Sequence, residues 1–243
     1  MSGHSKWSNI KHQKSAADAK KGKAFTKIIR EITVATKKGG SDPNSNPSLR
    51  LAMDKASAAN MPKDTVNRAI QRGSGALAGA DYVEVRYEGY APDGAAIIVD
   101  CLTDNKIRTV AAVRHEFSKS GGNLGTDGCV SYMFGHCGLF IFSPYVSEEL
   151  VMEVALSKDV EDVVKQEDGS IEVQTTPSLF FDTKQAFEDA SLVPDMAIIV
   201  MKPEVEITIS ADAERKVRNL ISALEDLDDV REVFSNVNFV SFN

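Results

Sequence analysis

The sequence predicts a multidomain α+β protein: an N-terminal three-helix domain, then two ferredoxin-like α/β sandwich domains, the middle one discontinuous. Apolar residues recur with the helical period up to residue 73 and with a period of two from about residue 82. The stretch Ser74 to Asp81 between them consists mostly of small residues and is typical of a linker. The predicted domains are residues 1–80, residues 81–135 together with 203–243, and residues 136–202.

The first domain contains three predicted helices. One face of the first helix is formed by apolar residues at helical spacing, namely Phe25, Ile28, Ile29, Ile32 and Ala35, and Gly39-Gly40 ends it. A second helix is predicted from Ser48 to Ala59. A third begins at Pro62, where the missing N–H costs nothing, and ends before Gly73.

Strands and helices alternate in the rest of the chain. The middle domain is predicted to contain a hairpin turning at Pro92-Asp93-Gly94, a helix from Asn105 to Ser120 and a strand from Cys129 to Phe134. Residues 139–201 then follow the order βαββαβ of a ferredoxin-like fold. The remaining helix, Ala211 to Leu227, and strand, Val230 to Phe234, are too small for a domain and are predicted to complete the middle one.

The charge is divided unevenly along the chain. Residues 1–73 carry 15 of the 28 Lys and Arg but only 5 of the 35 Asp and Glu, a net charge of +10, and the remainder carries −17. A strongly basic segment on an acidic body indicates a polyanionic partner. Nucleic acid is the partner that we predict.

Cations on the first and third helices are candidate contacts to that partner. Lys20, Lys23, Lys27 and Arg30 follow one stripe of the first helix and would form an exposed ridge suited to a phosphate backbone, although lysines also solvate any exposed helix face. Arg68 and Arg72 lie one turn apart on the third helix, and guanidinium groups grip phosphate or base edges bidentately.

The N-terminal tail is basic and nearly without apolar residues. Trp7 lies among its cations, where it would stack on an unpaired base or, alternatively, anchor the tail to the rest of the protein. The predicted nucleic-acid-binding residues are Lys6, Trp7, Lys11, His12, Lys14, Lys20, Lys21, Lys23, Lys27, Arg30, Arg68 and Arg72.

A loop with four glycines in eight residues lies between a predicted helix and strand. It lacks the lysine and the following helix of a phosphate-binding loop, so it is either a tight structural connection or a contact loop for RNA or a protein. Its candidate contact residues are Gly121, Gly122, Asn123, Gly125, Thr126, Asp127 and Gly128.

No cofactor, metal or catalytic site is predicted. The histidines His4, His12, His115 and His136 are dispersed, and the cysteines Cys101, Cys129 and Cys137 have no metal-ligand spacing and are expected to be small buried residues. The acidic run Glu225, Asp226, Asp228 and Asp229 lacks the spacing of a calcium loop and is interpreted as a solvated edge. Without a membrane-length apolar run or signal peptide, we expect a soluble, cytoplasmic monomer that binds no membrane.

Several motifs carry a resemblance to a known family. They are Gly3-His4-Ser5-Lys6-Trp7, residues 22–31 reading GKAFTKIIRE, Asn60 to Ile70, Tyr87-Glu88-Gly89-Tyr90, and residues 121–134 reading GGNLGTDGCVSYMF. Together they resemble the YebC/PmpR family, whose mitochondrial relatives include the translational activator of cytochrome oxidase. The resemblance covers nearly the whole chain, with Cys129 standing where Ser or Ala is expected.

The resemblance implies one helical and two α/β domains and a regulator of gene expression, not an enzyme. One branch of the family resembles DNA-binding transcriptional regulators. Another resembles ribosome-associated factors that help translation of proline-rich stretches. We therefore predict a DNA-binding transcriptional regulator, with a translation factor that binds ribosomal RNA on the ribosome as the alternative and a protein-interaction adaptor as a remote third.

Overall fold

The computed structural model describes residues 21–239. The helices are α1 (Lys21–Gly39), α2 (Pro47–Ala58), α3 (Lys63–Gly73), α4 (Lys106–Lys119), α5 (Glu148–Leu156), α6 (Phe180–Asp189) and α7 (Ala211–Glu225). The strands are β1 (Val83–Tyr90), β2 (Ala96–Thr103), β3 (Asn123–Leu124), β4 (Phe134–Phe142), β5 (Asp162–Lys165), β6 (Ile171–Thr175), β7 (Met196–Pro203) and β8 (Val230–Ser235). No helix within the described range is long and apolar enough to cross a bilayer.

These elements form two compact units. One comprises residues 132–206 and 238–239, and the other comprises the described residues up to 131 together with 207–237. The architecture is α+β, with helices first and two four-stranded antiparallel sheets after them, so the predicted fold class is confirmed. The finer division into three domains stays a prediction.

The first three helices share an apolar core of their own. Ile28 and Ile32 of α1, Leu49 of α2 and Ala69 of α3 are all buried in it. The connection before α2 is fixed by Asn46, whose side-chain oxygen accepts from the amide of Leu49 at 3.0 Å and caps the helix. The three helices therefore have an apolar core that is formed by their own residues.

The sheet of the same unit has the strand order β3-β1-β2-β8, with every neighbouring pair antiparallel. The predicted hairpin joins β1 and β2, and Asp93 in its turn has a φ of 57°, the left-handed conformation that Asp tolerates in turns. All of β2 is buried because it is an inner strand. Strands distant in the sequence meet in this sheet, since β8 pairs with β2.

The other unit has the strand order β5-β6-β4-β7, which is the ferredoxin-like arrangement expected from the order βαββαβ. Aromatic side chains fill its core. The rings of Phe140 and Phe180 stack with centroids 4.9 Å apart, and Phe187 meets Phe140 and Phe142 edge-on at 5.3 and 4.8 Å. Gly138 lies so close to Phe180 that a Cβ there would be 2.8 Å from its ring.

One predicted strand is wrong. Residues 131–133 form a single 3₁₀ turn instead of part of a strand from Cys129 to Phe134, and the edge strand that closes the sheet is β3. The reason is a contact with a residue distant in the sequence, because the amides of Val130 and Ser131 donate to the carboxylate of Glu88 and cannot join a sheet ladder.

Candidate nucleic-acid interface

Two predicted site lysines on α1 contact the C-terminal end of α7. The Nζ of Lys23 donates to the carbonyl of Asp226 at 2.9 Å, and the Nζ of Lys27 donates to the carbonyl of Glu225 at 2.5 Å. The last carbonyls of a helix lack partners within the helix, and its dipole places partial negative charge there. The two lysines therefore act as an external cap on α7.

Arg30, one turn further along α1, is held more firmly. Its Nη1 donates to the carbonyl of Asp228 at 2.7 Å, to the carboxylate of Asp229 at 2.6 Å and to the carbonyl of Leu102 at 3.3 Å. Its guanidinium carbon lies 5.1 Å from the centre of the Tyr82 ring, a cation–π distance. The side chain is only 12% exposed. The expectation that Arg30 lies on an exposed ridge is therefore wrong, and its binding to nucleic acid stays a prediction.

Asp229 is the acidic centre of this contact. Besides Arg30, its carboxylate accepts from Arg108 Nη2 at 2.8 Å and from the Thr109 hydroxyl at 2.8 Å. Burial alone would raise the pKa of Asp229, but these donors together hold the pKa below its ordinary value. The interpretation of Asp229 as part of a solvated edge is wrong, because the residue is 8% exposed.

Lys27 and Glu225 are partly buried together and perturb each other. Burial lowers the pKa of Lys27, although Glu225, Asp228 and Asp226 oppose this shift. Burial raises the pKa of Glu225 to about 7, with Asp226 adding to the shift and Lys27 opposing it. Asp226 and Asp228 add further negative charge around Lys27.

Further ion pairs continue this contact along the helical part. Lys55 of α2 lies 2.9 Å from a carboxylate oxygen of Glu31 and 3.0 Å from one of Glu232 on β8. Burial lowers its pKa, but the two carboxylates outweigh burial and leave the pKa raised. Near the linker, Lys37 pairs with Asp81 and Lys38 with Glu84. The term charged seam here means the contacts of six cations with the end of α7, with Asp81 before β1 and with the sheet. The cations are Lys23, Lys27, Arg30, Lys37, Lys38 and Lys55.

The two predicted arginines of α3 are in a different situation. Arg68 and Arg72 are exposed, and among the residues that the structure describes neither guanidinium makes a hydrogen bond or an ion pair. Asn67 and Gln71 are exposed on the same helix. The helix thus presents two unengaged guanidinium groups beside two amides.

The glycine-rich loop is organised around the buried carboxylate of Glu88 on β1, which is 5% exposed. It accepts from the amides of Gly128 at 3.0 Å and of Val130 and Ser131 at 2.8 Å each. Burial would raise the pKa of Glu88, but these three amides together lower it below its ordinary value.

Several glycines of this loop are needed for close packing on the protein itself. A Cβ at Gly122 would be 2.6 Å from the carbonyl of Tyr90, and one at Gly125 would be 2.5 Å from the sulfur of Cys129. Gly121 and Gly128 have positive φ values of 79° and 83°. Asn123, Thr126 and Asp127 are exposed. Packing within the protein therefore accounts for Gly122 and Gly125, and Asn123, Thr126 and Asp127 are exposed for a contact. The role of the loop in binding stays a prediction.

The domain models that match this sequence cover nearly all of it. Residues 5–76 match a model described as the TACO1/YebC protein N-terminal domain, and residues 82–237 match one described as the TACO1/YebC second and third domain. The chain belongs to the TACO1/YebC family.

Relatives in the family are similar along their whole length. The chain is 59% identical to a probable transcriptional regulatory protein of Cupriavidus taiwanensis over 97% of this chain and 98% of the relative. It is 56% identical to a protein of the same description from Nitrosomonas europaea, with the same coverage. The crystal structure of a conserved hypothetical protein from Aquifex aeolicus matches with a TM-score of 0.80 and 42% identity over 93% of each chain.

The tail of this TACO1/YebC protein lies outside the described residues. That part includes the predicted contacts Lys6, Trp7, Lys11, His12, Lys14 and Lys20, and only the backbone of Lys21 is described. Their binding to nucleic acid stays a prediction.

In this TACO1/YebC protein, the residue types that bind metals are dispersed among residues 21–239. No set of three His, Cys, Asp or Glu residues there is arranged to hold a metal ion. Cys101 and Cys137 are buried as expected, and burial is the main cause that raises their thiol pKa values to about 12 and about 11. Cys129 is half-buried.

The sequence reasoning missed the acidic partners, Asp229 and Glu88. A usable signal for Asp229 was the opposite charge of the two segments, which indicates that cations of α1 and the acidic run after α7 attract each other. Glu88 gave a weaker signal, a carboxylate followed by Gly89 in a strand.

Proposed function

We propose that this member of the TACO1/YebC family is a non-enzymatic, nucleic-acid-binding regulator of gene expression, and that α3 belongs to its contact surface. The observation that carries the proposal is the pair of unengaged guanidinium groups of Arg68 and Arg72. Lys23, Lys27 and Arg30 already have partners within the protein. The arginines of α3 are the described site cations that can meet a phosphate without first giving up a contact.

The chemistry of α3 supports duplex DNA as the partner. Guanidinium groups bind phosphates or the O6 and N7 of guanine, and amide side chains such as those of Asn67 and Gln71 pair with the N6 and N7 of adenine. An α-helix fits the major groove of B-DNA, whereas the deep, narrow major groove of A-form RNA excludes side chains. The names of the relatives, probable transcriptional regulatory proteins, support the same choice.

Reversing both charges tests the surface. The variant R68E/R72E is expected to bind a fluorescein-labelled DNA duplex about 10- to 100-fold more weakly than the unchanged protein. The slope of log affinity against log salt concentration should fall by the amount that corresponds to about two lost phosphate contacts. Fluorescence anisotropy titrations between about 50 and 200 mM salt measure both quantities.

A matched control is available on α4. Arg114 and Lys119 are exposed there, so R114E/K119E changes the net charge by the same amount away from α3. The control should bind nearly as the unchanged protein does. If R68E/R72E and the unchanged protein bound the duplex with equal affinity, α3 would not be part of the contact surface.

Crosslinking in cells distinguishes the partners. Ultraviolet crosslinking followed by sequencing of the attached nucleic acid should recover discrete promoter DNA if the protein regulates transcription. Enrichment of ribosomal RNA would instead make it a ribosome-associated translation factor. Recovery of neither would point to a protein-interaction adaptor.

A further inference from the structure

The end of α7 presents to α1 the kind of oxygen atoms that a phosphate backbone would present. Lys23 and Lys27 donate to its terminal carbonyls at 2.9 and 2.5 Å. The exposed carboxylates of Asp226 and Asp228 surround this point with negative charge. The cations predicted to hold nucleic acid are therefore already neutralised by an internal anionic surface.

We propose that the part of the charged seam formed by Lys23 and Lys27 is an autoinhibitory contact, in which the end of α7 occupies these two lysines until a nucleic-acid backbone displaces it. The inference rests on the proposed function, and it adds how the binding surface is regulated. The surface then has two parts: the arginines of α3, which are available at once, and the lysines of α1, which become available on displacement.

The lysine contacts are of a kind that phosphate can replace. Each ammonium group donates to a neutral carbonyl, whereas a phosphate oxygen carries charge and forms a shorter and stronger bond. Lys23 is exposed and Lys27 is half-buried, and each hydrogen bond that an ammonium group loses to α7 is replaced by one to phosphate. Exchanging α7 for nucleic acid at Lys23 and Lys27 therefore costs little.

Arg30 differs from the two lysines, because it keeps α1 paired to Asp229 when the lysines are released. It donates to three acceptors, lies at a cation–π distance from Tyr82 and is nearly buried. The two lysines precede Arg30 on α1 by one and two turns, so that end of the helix can move away while Arg30 remains paired to Asp229.

Release of the lysines does not require unfolding. The core of α1, α2 and α3 is formed by residues of the helical part itself, among them Ile32, Leu49 and Ala69. Separation of α1 from the end of α7 breaks polar contacts on the side of α1 opposite this core and leaves the core intact.

The test neutralises the anionic surface without disturbing a buried group. Asp226 and Asp228 are exposed, and the isosteric change D226N/D228N removes two negative charges near Lys27. A matched control, E149Q/E153Q, removes two negative charges from exposed positions of α5 in the other unit. The probe is a fluorescein-labelled DNA duplex at about 150 mM salt, and circular dichroism checks that each variant is folded.

The expected result is that D226N/D228N binds the duplex about three- to tenfold more tightly than the unchanged protein and E149Q/E153Q does not. The proposal would be supported equally if D226N/D228N bound the duplex and neither the unchanged protein nor E149Q/E153Q did. Equal affinities of D226N/D228N and the unchanged protein would overturn the autoinhibitory contact while leaving the proposed function standing. An equal gain in both variants would also overturn it, because net charge would then explain the gain. No binding by any protein would overturn the proposed function and this inference with it.

A second measurement follows the contact itself. Spin labels at Ser57 on α2 and Asn219 on α7, both exposed, report the distance between the two helices in a chain that also carries C129A. The distance distribution is expected to broaden towards longer values in D226N/D228N and on addition of the duplex. An unchanged distribution in both cases would contradict displacement.

Discussion

Replacing Asp229 by alanine is expected to destabilise the unit formed by residues 21–131 and 207–237 by about 2–4 kcal/mol. The change leaves Arg30 without its carboxylate in a nearly buried position and removes an acceptor of the buried Thr109 hydroxyl. Arg108 loses less, because it is half-exposed and keeps its pair with Asp104. Urea unfolding followed by circular dichroism measures the loss.

The effect should depend on pH in a defined direction. The pKa of Asp229 is depressed in the folded protein, so its contribution is fully present above the ordinary pKa of about 4 and is lost as the pH falls through the folded value. The difference between D229A and the unchanged protein should therefore shrink on acidification below about pH 4. The exposed Asp64 serves as a control, since D64A should change stability little at any pH. A difference that is independent of pH would contradict the assignment of the carboxylate as the stabilising group.

The helices and most strands could be predicted from the sequence because their signals are local. The spacing of Ile28 and Ile32 and the turn at Asp93 each define an element within a few residues. The order βαββαβ then constrains the sheet of the ferredoxin-like unit, because few connections between such elements are possible.

The partners of the site cations could not be predicted in this way. Lys23 and Lys27 meet oxygens about 200 residues away in the sequence, and the acceptors are backbone carbonyls whose exposure depends on where α7 ends. Charge complementarity indicates attraction between the segments but does not select an oxygen atom. The cationic stripe was therefore visible in the sequence, whereas its occupation by α7 was not.

The glycine-rich loop illustrates a second limit. Its glycines correctly indicated close approach of the backbone, but the approach is to the protein's own β1, where Gly122 meets the carbonyl of Tyr90. The strand expected after the loop does not begin at Cys129, because the amides of Val130 and Ser131 donate to the carboxylate of Glu88. A local sequence pattern can predict that a segment forms a strand. It does not show that the backbone amides of that segment donate instead to a carboxylate that is distant in the sequence.

Replacing Glu88 by alanine is expected to cost about 3 kcal/mol or more and to release the loop from β1. Three amides, those of Gly128, Val130 and Ser131, lose a charged acceptor, and Val130 lies fully inside the protein. The variant E88Q should be intermediate, because its amide oxygen still accepts while its NH₂ group faces donors. Hydrogen exchange of these three amides measures the release, with D127A as a control that removes an exposed charge from the same loop.

The same variant decides what the loop does. Exchange at the three amides should rise by orders of magnitude in E88A and stay unchanged in D127A, and protection that survives in E88A would show that other contacts hold the loop. If duplex binding through Arg68 and Arg72 persists in E88A, the loop is a structural connection, because a contact loop would lose its shape together with Glu88. If binding falls in E88A and also in D127A, whose loop stays ordered, the exposed residues of the loop belong to the contact surface together with α3.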